Sequence, residues 1–151
     1  MENIKQKQFQ EAVYNNDINN VKLLIKDDSV EPAIDGNIVF QKACHLGHTE
    51  IVELLINDKR VDPTDWNNLA FQYAVEKNNI DIVKILLKHE YVNPSFLHNQ
   101  AIKTALEKKY FEIFSILIKN EAVIEKFKYE NETELFESIK NANTISKIQE
   151  F

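Results

Sequence analysis

An apolar pattern recurs along this chain with a fixed period of 31 residues, and no other feature limits its fold as strongly. Phe9, Phe40, Phe71 and Ile102 each open a copy. An alanine follows three residues later in every case: Ala12, Ala43, Ala74 and Ala105. A second apolar cluster holds the same register, at Val21–Ile25, Val52–Ile56, Val83–Leu87 and Phe114–Ile118. Three copies then close on a proline turn, Val30-Glu31-Pro32, Val61-Asp62-Pro63 and Val92-Asn93-Pro94. Each copy reads as helix, break, helix. One such unit cannot bury its apolar face alone, so a period of this size means repeated supersecondary units that cover one another.

Local signals agree with that frame. Asn3 is placed to cap a first helix reaching Tyr14, with Phe9, Ala12 and Val13 as its buried stripe. Asn15-Asn16-Asp17 breaks it: Asn16 tolerates the left-handed conformation that ends a helix, and Asp17 caps the next. That second helix runs from about Ile18 to Asp27 and should bury Ile18, Val21, Leu24 and Ile25. Gly47 and Asn78 stand in phase with Asn16. The fourth copy puts Lys109 there, followed by Tyr110, a poor cap, so a looser turn is expected. The connections Val30–Gly36, Val61–Asn67 and Val92–His98 are short and polar and read as tight turns with little or no strand character.

At 151 residues the chain fits one domain, with units of about 3–33, 34–64, 65–95 and 96–127 and a C-terminal cap at 128–151. Leu135, Ser138 and Ile139 open that last unit, and Ile145 and Ile148 lie in its short final helix. Glu132, Glu134, Glu137, Lys140, Lys147 and Gln149 supply the polar outer face a terminal repeat needs. Two glycines and three prolines leave no room for linkers or a turn-rich β fold. No run of apolar residues is long enough to span a membrane. Met1 to Gln10 lacks the apolar core of a secretory signal. The single cysteine, Cys44, forms no internal disulfide, which fits a reducing compartment such as the cytoplasm. A net charge of −6 disfavours nucleic acid, whose phosphates need a basic face.

The segment from Ala43 to Ile56, A-x-x-x-G-H-T-E-I-V-E-L-L-I, resembles the core of an ankyrin repeat. The resemblance covers nearly the whole chain, because four copies share one phase. The family's period is about 33 residues, so these copies are shortened, and the short form with its Val-Asp-Pro turn is similar to arrays of amoebae and large DNA viruses. The T-P-L-H opening of the family stands here as Ile38-Val39-Phe40-Gln41 and Leu69-Ala70-Phe71-Gln72. Ala122 to Thr133 aligns with the family without deletion. The resemblance implies an all-α ankyrin-repeat solenoid of stacked helix-turn-helix units with short hairpin-like connections. It also implies a non-catalytic protein–protein interaction module that holds a partner by its turn tips and by the concave face of its first helices.

Catalytic and metal chemistry find little support. Cys44, His45 and His48 cluster, but zinc needs three or four converging ligands and no second pair accompanies them. Cys44 occupies the slot of Val13, Val75 and Leu106, a packing position, and His48 belongs to the Gly-His turn. The close carboxylates Glu50 with Glu53, and Glu76 with Asp81, fall on faces expected to meet water, where no pocket separates their pKa values. There is no phosphate-binding glycine loop and no nucleophile with a base partner. No enzyme, cofactor or metal is expected.

Surface recognition remains. The slot after Gln10, Gln41, Gln72 and Lys103 holds Glu11, Lys42, Tyr73 and Thr104, unlike residues in every copy. The residues after each turn proline include Ile34-Asp35, Asp65-Trp66 and Phe96-Leu97. A protein partner is therefore expected on Lys42, Trp66, Tyr73, Glu76, Phe96 and Leu97, in an acidic, partly aromatic groove of a monomer that binds neither nucleic acid nor membrane. The second reading is a substrate adaptor for a larger complex such as a ubiquitin ligase. It is disfavoured because the stretch after Phe136 is taken up by the last repeat. The location expected is the cytoplasm, or the host cytoplasm for a viral protein.

Overall fold

Each copy folds as two helices joined at its left-handed residue. The computed structural model describes residues 3–129, together with Glu137 and Asn141. The expected fifth unit therefore lies outside the described residues. The first pair is α1 (Ile4–Tyr14) and α2 (Ile18–Leu24), followed by α3 (Ile34–Leu46) with α4 (Thr49–Ile56). Then come α5 (Asp65–Glu76) with α6 (Ile80–Leu86), α7 (Phe96–Glu107) with α8 (Phe111–Leu117), and α9 (Glu121–Tyr129). Every element among the described residues is a helix, and the connections form turns without strand, as their shortness implied.

The chain divides into two compact units, Met1–Val92 and Asn93–Phe151. In the first, α3 packs between α1 and α5, and α4 between α2 and α6. Phe9, Phe40 and Phe71 are fully buried in the first-helix layer with Val13, Ala43, Cys44, Ala74 and Val75. Each such aromatic contributes about 1.5–3 kcal/mol over an exposed one. Of the four residues expected to be buried on α2, Val21 is fully so, while Ile18, Leu24 and Ile25 are half-buried. The reason is layer geometry: besides its own partner α1, α2 has a single neighbour in the layer of second helices, α4, whereas α4, whose Leu55 is fully buried, has α2 on one side and α6 on the other. The helix also stops short of Asp27, because Asp27 N–H bonds the Leu24 carbonyl and turns the chain out.

In the second unit α7 packs on α8 and α9. Ala101, Ile102, Ala105, Ile113, Phe114 and Leu117 are buried there with Val123 and Phe127 of α9. This third helix occupies the stretch where earlier copies have a proline turn. Val123 and Phe127, four apart, give it a buried stripe, and Asn120 Oδ1 receives the Ala122 N–H at 3.0 Å to start it.

The helix breaks are uniform. Asn16, Gly47, Asn78 and Lys109 all have positive φ, of 58°, 79°, 58° and 59°. The N–H that follows each reaches back to the alanine carbonyl of its first helix: Asp17 to Ala12, His48 to Ala43, Asn79 to Ala74 and Tyr110 to Ala105, at 2.8–3.0 Å. The looser turn expected at Lys109 is thus absent. Closure depends on backbone bonds available to any residue that accepts the left-handed strain. Asp17 caps α2 through Asn20 N–H, as expected. His48 and Asn79, in the same slot, instead bond back to the preceding copy, at Tyr14 O (3.2 Å) and Cys44 O (2.7 Å).

Candidate functional site

The surface that could recognise a partner is built from two parts, the connections and the exposed side of the first helices. Each connection enters its helix through a left-handed turn: Asp35-Gly36-Asn37 and Trp66-Asn67-Asn68 have three successive positive φ values, and Leu97 and Asn99 repeat the feature. Left-handed residues normally occur singly, since each costs roughly 1–2 kcal/mol outside glycine. Gly and Asn fill most of these slots, but Trp66 does not suit its own.

A buried amide ladder holds this geometry. Position 6 and its successors at 37, 68 and 99 are Gln, Asn, Asn and Asn, and all are buried. Gln6 exchanges two hydrogen bonds with the Glu31 backbone, at 2.7 and 3.1 Å. Asn37 accepts from Asp62 N–H at 3.1 Å and donates to Asp65 Oδ2 at 2.9 Å. Asp65 Oδ1 in turn receives the Trp66 N–H at 2.9 Å. Asn99 reaches Val123 O at 3.4 Å within the second unit. Beside the ladder, Arg60 chelates Asp58 and donates to the carbonyls of Val30 and Ile25, at 2.9 and 3.0 Å. Its guanidinium holds the Asp58 carboxyl below the usual range.

The expected contact residues can now be placed. Trp66 is 65% exposed. One edge of its indole rests on the preceding connection so closely that a Cβ on Gly36 would lie 2.0 Å from Nε1. It neither stands free nor folds under the helices; it lies against Gly36 and leaves most of its surface to solvent. Lys42 and Glu76 are exposed and Tyr73 is half-buried, on the facing helices α3 and α5. Phe96 is half-buried and Leu97 is 53% exposed, in the second unit.

The structure adds residues that the sequence reading assigned elsewhere. His45 joins Lys42, Tyr73 and Glu76: its ring meets Tyr73 edge-on, with centroids 5.0 Å apart and planes at 88°. Burial lowers the His45 imidazole below its ordinary range, the charges of Lys77 and Lys42 push the same way, and Glu76 opposes them. Tyr14 and Leu46 leave further apolar surface exposed at the ends of α1 and α3. In phase, Tyr14, His45, Glu76 and Glu107 form one slot with three unlike residues, a weaker form of the signal that exposed Lys42 and Tyr73. This face is mixed in charge, with Lys42 and Lys77 beside Glu76, rather than acidic as expected.

The residues weighed as ligands or catalysts are engaged otherwise. Cys44 is fully buried, and burial pushes its thiol up. His45 lies against Tyr73 and His48 bonds Tyr14. Glu50, Glu53, Glu76 and Asp81 are all exposed, as expected of a solvated face. Among the described residues no three His, Cys, Asp or Glu side chains converge as a metal site, and no helix is long and apolar enough to cross a membrane.

A family model for ankyrin repeats matches residues 9–97 in three copies. Neither the curated proteins nor the solved structures contain a match to the chain. The matched copies are the ones whose phenylalanines, alanines and left-handed breaks coincide here, in an all-helical fold without strands among the described residues. Repeats of this kind generally serve protein–protein interaction and are typically non-catalytic, and on this match the chain belongs to the ankyrin-repeat family.

Proposed function

We propose that the chain is a non-catalytic module that holds a partner protein through its turn tips and the concave face of its first helices. Lys42, Trp66, Tyr73 and Glu76 serve in the first unit, and Phe96 and Leu97 in the second. We read the repeats as one recognition array, monomeric and cytoplasmic. The 31-residue period that runs on through Ile102 supports the single array, and a chain with one cysteine, which needs no disulfide, fits a reducing compartment.

The observation that carries the reading is Trp66. A large aromatic is 65% exposed, yet its backbone is held at φ 50° by Asp65 and, behind it, by Asn37. Strained residues persist where surrounding structure over-determines them, and such sites are enriched in function. An exposed indole already fixed in place loses little freedom on binding, which is what makes an effective interface anchor.

The test is partner capture from lysate with the full chain as bait. Trp66→Ala should weaken the captured partner at least about tenfold, equivalent to 1.4 kcal/mol. Lys22→Ala, exposed on α2, should change little. A partner indifferent to Trp66→Ala, with the variant folded, refutes this surface. Recovery of ubiquitin-ligase subunits would favour the adaptor reading instead.

A further inference from the structure

The partner face of the first unit carries a local charge that the composition of the chain conceals. Lys42 and His45 lie about one turn apart on α3, and Lys77 ends α5. The charges of both lysines reach the His45 ring, which Tyr73 contacts edge-on. Among the described residues neither lysine closes an ion pair within the fold. Glu76 is the acidic group whose charge reaches the same ring, one carboxylate against two lysines. We propose that Lys42, His45 and Lys77, which come together where the His45 ring meets Tyr73, receive an acidic segment of the protein partner. This rests on the reading of the face as a partner surface.

Charge complementarity selects that occupant over a neutral or basic one. A basic segment would meet two lysines, and an apolar one would strand both of them on desolvation. The net charge of −6 opposes an acidic partner at long range. Screening over about 8 Å at physiological salt confines that opposition to the approach, while the lysines act at contact. The complementary part of the partner is therefore a short acidic stretch.

His45 makes the contact pH-dependent. The groups that face it are Lys42 on its own helix and Tyr73, Glu76 and Lys77 on α5. Glu11 and Tyr14 stand in register on α1. In the free chain burial and the two lysines disfavour the imidazolium. A carboxylate placed beside the ring favours it, so binding takes up a proton and tightens as pH falls.

The test uses the full chain, isotopically labelled, titrated with an acetylated and amidated oligoglutamate peptide, with oligolysine as the control. Oligoglutamate should perturb the NMR signals of Lys42, His45, Tyr73 and Lys77, at least about threefold more tightly near pH 6 than near pH 7.5. The exposed double variant Lys42→Glu/Lys77→Glu should lose the response, and oligolysine should not give it. Perturbation elsewhere, an equal response to oligolysine, or tightening with rising pH overturns the proposal. If a captured partner tolerates Lys42→Glu/Lys77→Glu but not Tyr73→Ala, the face binds the partner and the acidic assignment alone fails. If oligoglutamate binds as described while the partner ignores both Trp66→Ala and Tyr73→Ala, the carboxylate site stands and the partner face is refuted.

Discussion

Replacing Asn37 isolates what one rung of the amide ladder contributes. The side chain is 4% exposed and makes two bonds to the next connection. The bond to the Asp65 carboxylate is charge-assisted, about 1.5–3 kcal/mol, and the one from Asp62 N–H is about 0.5–1.5 kcal/mol. Asn37→Gly keeps the left-handed backbone free of strain but adds about 0.5–1 kcal/mol of chain entropy. Its expected cost is about 3–5 kcal/mol. Asn37→Ala exchanges that entropy term for a left-handed penalty of about 1–2 kcal/mol at φ 60°, so it should be the worse of the two. Urea unfolding followed by helical circular dichroism gives the shift in midpoint at constant slope. Trp66, the only tryptophan, reports the same connection by fluorescence. Because Asp65 holds Trp66 N–H, the indole emission should change in the folded Asn37→Gly variant as well. A loss under about 1 kcal/mol with unchanged emission would mean that the buried amide is a spectator and that packing alone orders the connections.

Gly36→Ala should displace the indole, since the new Cβ falls 2.0 Å from Trp66 Nε1, and should add about 1–2 kcal/mol of backbone strain at φ 67°. In a Trp66→Ala background that cost should shrink to the backbone part; equal costs in both backgrounds refute the contact. Lys109→Gly relieves a left-handed non-glycine and should stabilise the chain by about 0.5–1 kcal/mol, which a thermal melt decides; no gain means the strain is already relaxed. His45 has its folded pKa below the ordinary 6.5, so in the window just under that value the unfolded chain binds more protons than the folded one. Melting temperature should therefore fall as pH drops through about 6.5 and level off below the folded midpoint, and His45→Gln should flatten that slope; identical slopes refute the effect.

Parts of the candidate surface were legible and parts were not, for reasons visible in single residues. Lys42 and Tyr73 could be found because their slot holds a different residue in each copy. His45 stands in phase with Tyr14, Glu76 and Glu107, a slot that varies less, and beside Cys44 and His48 it was weighed only as a metal ligand and set aside. The ladder residues Asn37, Asn68 and Asn99 recur at the period, and Gln6 precedes them, yet in a polar connection an asparagine reads first as a turn former. Whether Trp66 covered the helix ends or faced solvent depended on where the preceding connection lay, which its own copy does not encode.

The sequence by itself determined the repeating unit: the paired helices, the buried phenylalanines and alanines, and the left-handed breaks at Asn16, Gly47 and Asn78, while the equally tight break at Lys109 was seen only in the structure. These follow from rules that act within a turn or two of chain, namely capping, helical periodicity and the left-handed tolerance of Gly and Asn. Only the tertiary structure decided which unlike residues of adjacent copies meet. His45 on Tyr73, Asn37 on Asp62 and Asp65, His48 on Tyr14 and Trp66 on Gly36 each join residues between 25 and 34 positions apart. The physical reason is that such contacts depend on the offset and rotation between neighbouring copies, set by the packing of α1, α3 and α5 as a layer, and no single copy contains that information.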